Sequence, residues 1–228
     1  MGEMVEFLGG DDKADGYLAT PAEGAGPGVL VVQEWWGLLP QLKRVCDRLA
    51  EEGFTALAPD LYHGEVAQHD EVDKAGELMA KLPIDQAAKD MSSAIDYLLQ
   101  HPSVRGEAVG VMGTCMGGML TLRMAIREGS RVGAAIAYYP AGPPPEDWSG
   151  ISAPVLIHVG DNDEWTPLSM VKQFETACTD LGIDLTIYEY PGEGHAFANE
   201  DDPFGTHSPD STRQAWVRTL EFLRAHLG

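Results

Sequence analysis

A chain of 228 residues with 44% apolar and 22% charged side chains can bury roughly 70% of its unfolded surface in one core, which makes a single domain over residues 1–228 the expectation. Its formal charge of -21, from 36 acidic against 15 basic residues, argues against nucleic acid and anionic membranes as partners, because both are themselves negative. Three cysteines, Cys46, Cys115 and Cys178, are too few and too far apart for a disulfide framework or a thiolate zinc site.

No apolar run approaches the ~20 residues that a spanning helix needs. Residues 1–6 lack the basic and apolar stretches of a signal peptide, so the cytoplasm is the expected location. The first twenty residues suggest an antiparallel hairpin, 4–8 with 16–20, added at one sheet edge. Residues 28–33 form a continuous apolar run of buried parallel-strand type, and 38–52 have helical periodicity ending before Gly53. A strand over 54–58 is halted by Pro59 and Asp60. The long segment 63–83 is a candidate lid. A helix over 85–100 follows, then a strand over 108–112 and a helix over 119–128. Strands at 131–139, 155–159 and 185–190, with helices at 168–181 and 211–227, complete the pattern. Alternation of this kind predicts an α/β fold, a mostly parallel central sheet with helices on both faces, hence a three-layer sandwich.

The junction between the strand ending at Met112 and the helix that follows reads Gly113-Thr114-Cys115-Met116-Gly117-Gly118. A nucleophile flanked by small residues at a strand-to-helix turn has the pattern of a nucleophile elbow. Glycines allow the sharp turn, and the helix N-terminus favours a thiolate, with the Met116 amide directed at any oxyanion. Acyl transfer by cysteine also needs a base and an acid that orients it. Both are available in loops after later strands: Asp161 and Asp163 in the first, His195 in the second. The order nucleophile, acid, histidine is that of an α/β-hydrolase, and Asp163 is preferred to Asp161 for the acid. Gln33-Glu34-Trp35-Trp36-Gly37 ends the first parallel strand, where the loop supplies a second oxyanion amide, that of Trp35. Glu34, beside two tryptophans, is a candidate to hold or accept the thiol proton, or else to pair with an arginine such as Arg44. The remaining histidines lack ligand spacing, so no metal is expected. Cys46 and Cys178 fall within helical stretches and are expected to be buried small hydrophobes.

These segments resemble the dienelactone hydrolase family. The resemblance rests on Gln33 to Gly37, on Ala58-Pro59-Asp60-Leu61-Tyr62, on the Cys115 turn, on Tyr138-Tyr139, on Gly160, Asp163 and Pro167, and on Gly194-His195-Ala196-Phe197. It implies an α/β-hydrolase fold and a cofactor-free cysteine hydrolase of esters and lactones with the triad Cys115, His195 and Asp163. It further implies that Glu34 contacts the thiol until substrate displaces it, and that an acyl-enzyme forms on Cys115 with the Trp35 and Met116 amides on the oxyanion. Trp36, Tyr62, Trp165 and Phe197 are assigned to substrate binding.

Two arginines that hold the substrate carboxylate in family members acting on dienelactone have no counterpart here. Residues 71–77 contain Lys74 but no arginine, and Asn199 stands where the second is expected. A neutral ester or lactone is therefore the expected small-molecule substrate, with the protein a monomer or homodimer. A thioesterase or acyl transferase would use the same residues. A redox-sensing or ligand-binding protein built on Cys115 is the non-enzymatic alternative.

Overall fold

The computed structural model describes residues 2–9 and 12–228; Met1, Gly10 and Asp11 lie outside the described residues. The chain forms two compact units, residues 1–110 and 111–228. Strand β5 (Val104–Thr114) passes from the first into the second.

In the first unit, β1 (Glu3–Gly9) and β2 (Asp12–Ala19) form the expected hairpin, with β1 at the edge. Strand β3 (Gly26–Val32) leads to helix α1 (Pro40–Glu51) and then to β4 (Thr55–Pro59), which lies parallel to β3 and antiparallel to β2. Every residue of β4 and nearly every residue of β3 is buried. Strands buried on consecutive residues must be covered on both faces, and α1 and α3 (Ile84–Gln100) supply that cover by packing on β3 and β4. Proline at the start of α1 fits a position whose amide has no helical partner.

The candidate lid segment contains a helix, α2 (Val72–Lys81), which was not expected from the sequence. Only Ala75 and Leu78 of it are buried, and its N-terminus has no side-chain cap.

The second unit begins in β5 and continues through α4 (Met116–Glu128), β6 (Val132–Tyr138), β7 (Val155–Gly160), α5 (Leu168–Leu181), β8 (Leu185–Tyr190) and α6 (Pro209–Leu227). Strands β6, β7 and β8 are parallel neighbours. Helices α4 and α6 both pack on β6, whose residues are almost all buried. Helix α4 starts at Met116 rather than Met119, so Gly117 and Gly118 are helical despite their poor propensity. Close packing, not propensity, decides that turn. Cys46 and Cys178 are buried as expected; burial pushes both thiols up, Cys178 to about 11.

A polar chain crosses the interior of this unit. The Arg218 guanidinium lies over the Tyr190 ring at 5.3 Å, and the Tyr190 hydroxyl lies 2.9 Å from Nδ1 of His158. His158 Nε2 is 3.1 Å from the Thr219 hydroxyl, itself 2.7 Å from the Tyr138 hydroxyl. A neutral imidazole satisfies every link with the donors running one way along the chain, for example Tyr190 to Nδ1, Nε2–H to Thr219 and Thr219 to Tyr138. His158 is then a neutral tautomer, and burial, helped by the Arg218 charge, lowers its pKa from 6.5 to about 3.

Stability should depend on pH through this group. Above pH 6.5 His158 is neutral folded and unfolded and contributes no slope. Below that value the unfolded chain takes a proton that the folded chain refuses, so stability falls as pH falls, by up to about 1.4 kcal/mol per pH unit. Comparing urea denaturation at about pH 7.5 and about pH 5, the wild type should lose about 2 kcal/mol more than His158→Gln. Equal losses would show that His158 is protonated in the folded protein.

Candidate active site

Cys115 stands between β5 and α4 with φ 56° and ψ -123°, a conformation that costs a non-glycine residue about 1–3 kcal/mol and persists only where surroundings impose it. Backbone hydrogen bonds impose it here. The Cys115 amide donates to the Tyr138 carbonyl at 3.0 Å, and its carbonyl accepts from Gly118 at 2.9 Å, Met119 at 3.3 Å and Ala141 at 3.0 Å. Glycine is required on both sides by close approach. A Cβ on Gly113 would lie 2.3 Å from the Gly117 carbonyl oxygen, and one on Gly118 would lie 2.9 Å from the Tyr138 carbonyl oxygen. The thiol therefore sits at a helix N-terminus, as an elbow requires.

Asp163, in the loop after β7, is buried and uses both carboxylate oxygens. Oδ1 accepts from the amides of Trp165 and Thr166, each at 2.8 Å, and Oδ2 lies 2.9 Å from Nδ1 of His195. Two backbone donors fix the carboxylate, and the fixed carboxylate fixes the imidazole. Asp161 is exposed and accepts instead from the Gly192 amide at 2.6 Å. Of the two candidate acids, Asp163 is the one that reaches His195.

His195 is buried, and its Nε2 has no hydrogen-bond partner. An imidazole held at Nδ1 by a carboxylate is the tautomer with a free basic Nε2. The loop beyond it is anchored to α6 by the Thr212 hydroxyl, which donates to the Phe197 carbonyl at 3.0 Å, and is folded on itself by Thr206 donating to the His195 carbonyl at 2.5 Å and the Ser208 amide to the Phe197 carbonyl at 2.9 Å. Ring contacts fix the imidazole plane. Tyr139, fully buried, meets it edge-on at 5.0 Å, and Trp165 lies against it at 4.6 Å.

Other sequence-derived site residues are distributed as follows. Met116 is the first residue of α4. Trp165 is 43% exposed, so its ring is open to solvent beside His195. Phe197 is 0% exposed and packs between Tyr139 and Tyr190, which gives it no surface for a substrate and makes it a support for the His195 loop. In the first unit, Glu34 is buried in the turn after β3, closed by the Gly37 amide donating to the Glu34 carbonyl at 3.2 Å. Trp35 and Trp36 meet edge-on at 5.0 Å, and Trp36 is 1% exposed, again a packing position. Tyr62 is buried after β4, its amide held by Asp60 at 3.1 Å. Tyr139 and Phe204 escaped the sequence reading as neighbours of His195. Tyr139 left a trace in the Tyr138-Tyr139 pair, whereas Phe204 left none.

Among the described residues no group of three or more His, Cys, Asp or Glu side chains could hold a metal ion. No described helix is long and apolar enough to cross a membrane.

The model of the dienelactone hydrolase family matches residues 14–227. The chain belongs to the dienelactone hydrolase family. It is 35% identical to the protein named usf of Aquifex pyrophilus, over 100% of both chains. It is 32% identical to the carboxymethylenebutenolidase of a Pseudomonas strain, over 97% of this chain and 95% of that one. A Klebsiella pneumoniae crystal structure, of a protein provisionally named a dienelactone hydrolase, superposes with a TM-score of 0.86 at 26% identity, covering 98% of this chain and 99% of the other. The fold is the α/β-hydrolase fold, and this dienelactone hydrolase family member is a hydrolase of carboxylic ester or lactone bonds.

The elbow geometry makes a stability prediction. Gly118→Ala forces a methyl against the Tyr138 carbonyl and the Pro140 backbone, which should cost about 1–3 kcal/mol of unfolding free energy in chemical denaturation. An unchanged midpoint would show that the junction has slack.

Proposed function

We propose that the protein hydrolyses neutral carboxylic esters or lactones through an acyl-enzyme on Cys115, with His195 as general base and acid and Asp163 as the group that orients it. The observation that supports this most is the His195 imidazole, held at Nδ1 by Asp163 with Nε2 unpartnered, in a chain whose elbow carries a cysteine.

In the first half-reaction Nε2 of His195 takes the thiol proton as Sγ of Cys115 attacks the carbonyl carbon, a C–S bond forms, and the carbonyl π pair moves to oxygen. The Met116 amide at the start of α4 donates to that oxyanion. Collapse breaks the C–O bond; its electron pair leaves with the alcohol oxygen, which takes the proton from Nε2 of His195. Water then gives a proton to Nε2 and attacks the thioester, and the acid departs as the thiolate leaves carbon. The roles that the family resemblance carries for Glu34, contacting the thiol until substrate displaces it, and for the Trp35 amide, as a second oxyanion donor, are part of the proposal. So is the reading of both units as one catalytic domain, supported by a family match spanning residues 14–227.

The preference for uncharged substrates is supported by Asn199, which occupies the place of an expected arginine. It is buried, and its side-chain oxygen accepts the Asp201 amide at 3.0 Å. That oxygen serves the loop, and an amide in any case carries no charge for a carboxylate.

The decisive experiment is turnover of a neutral aryl acetate with intact-mass analysis of the quenched enzyme. Cys115→Ala should abolish both turnover and the acetyl adduct. Asp163→Asn presents an amide to Nδ1, favours the wrong tautomer, and should lower kcat by about 10³-fold or more. An adduct that persists in Cys115→Ala would place the nucleophile elsewhere.

A further inference from the structure

Two aromatic rings stand on the solvent side of His195. Trp165 lies against the imidazole at 4.6 Å with 35° between planes, and Phe204 meets Trp165 edge-on at 5.3 Å and approaches the imidazole at 6.4 Å. The inner side of the imidazole is closed by buried Tyr139. Trp165 keeps 43% of its surface exposed, an unusual expense for so large an apolar ring unless something covers it.

We propose that Trp165 and Phe204 form a leaving-group subsite that takes a flat aromatic alcohol without negative charge. The inference rests on the catalytic reading above. There, Nε2 of His195 hands its proton to the departing alcohol oxygen, so the groups against the imidazole are the groups beside that alcohol. An offset or edge-to-face aromatic partner on such a shelf gains about 0.5–1.5 kcal/mol beyond its area burial. The charge preference follows from the two loops that carry Asp163 and His195. Residues 160–167 and 191–210 contain eight aspartates and glutamates and no lysine or arginine, so neither loop offers a cation to an anionic alcohol. Exposed Glu164 adjoins Trp165 in the chain, and exposed Asp202 lies two residues before Phe204. An anionic ring on this shelf meets repulsion, and a cationic one is admitted by the ring faces.

The alternative role for Trp165 is to shield the Asp163–His195 hydrogen bond from water. Truncation would then slow every ester alike, so a selectivity ratio separates the two. The test measures kcat/KM for phenyl acetate and for ethyl acetate in wild type, Trp165→Ala and Phe204→Ala, with Cys115→Ala as blank. Alanine at 165 retains the amide that Asp163 accepts, and the Phe204 ring lies farther from the imidazole, at 6.4 Å, so Phe204→Ala tests the subsite even where Trp165→Ala is poorly folded. Each variant should lower the phenyl-to-ethyl ratio about threefold to tenfold, whatever its effect on the absolute rates. In wild type, a carboxylate-bearing phenyl acetate should react more slowly than the neutral ester once both are divided by their hydroxide-catalysed rates. A ratio unmoved in both variants, with the blank inactive, overturns the subsite and leaves the catalytic reading intact. A faster carboxylate ester overturns the charge preference. Activity surviving in the blank overturns the catalytic reading and the subsite together.

Discussion

The backbone of Cys115 is the constraint on which the site depends. A cysteine at positive φ is unfavourable by itself, and it stays there because β6 takes its amide while Gly118 and Ala141 take its carbonyl. Those bonds form only if the strand and the helix approach closely enough to exclude a Cβ at Gly113 and Gly118. The packing of α4 against β6, its most intimate neighbour in this unit, therefore does two things at once. It buries much of the helix, and it sets the thiol at the helix's N-terminal, dipole-positive end.

A second constraint is ordered around Asp163. Its two oxygens are divided between backbone and imidazole, three charge-assisted contacts converging on one buried carboxylate. The loops after β7 and β8 are laced together independently of that carboxylate: the Asp161 amide donates to the Tyr190 carbonyl and the Asn162 amide to the Glu193 carbonyl. Behind them lies the His158 chain, whose Tyr190 ring packs on Phe197 while Phe197 packs on Tyr139. The imidazole is thus positioned by layers, with polar groups fixing its tautomer and aromatic rings fixing its plane. In the proposed reaction, pre-organisation of this kind spares the cost of ordering the imidazole at the moment of proton transfer.

Much of this was legible in the chain because local chemistry dictates it. Helix α5 and strand β8 fall on the residues expected from periodicity alone, since both are half-buried elements whose apolar residues recur at one period. The Gly-rich turn around Cys115 announces itself because few sequences other than a sharp strand-to-helix junction need small residues at those positions. Helix α2 was not expected; it is short, and no side-chain cap marks its start. The start of α4 was misjudged for the opposite reason: its glycines argue against helix locally, and only the closeness of β6 explains them.

The candidate site divides along the same line. Sequence alone determined the alternating α/β pattern, the cysteine elbow, the order of nucleophile, acid and histidine, and the absence of an arginine at position 199, since each follows from residue type and spacing. Tertiary structure decided which of Asp161 and Asp163 reaches His195, that Phe197 and Trp36 are enclosed while Trp165 is open, and that Tyr139 and Phe204 stand beside the imidazole. These are matters of direction. A residue's type fixes what its side chain can do, but the side to which a loop turns it is set by hydrogen bonds and packing with segments distant in the chain, and those leave no local mark in the sequence.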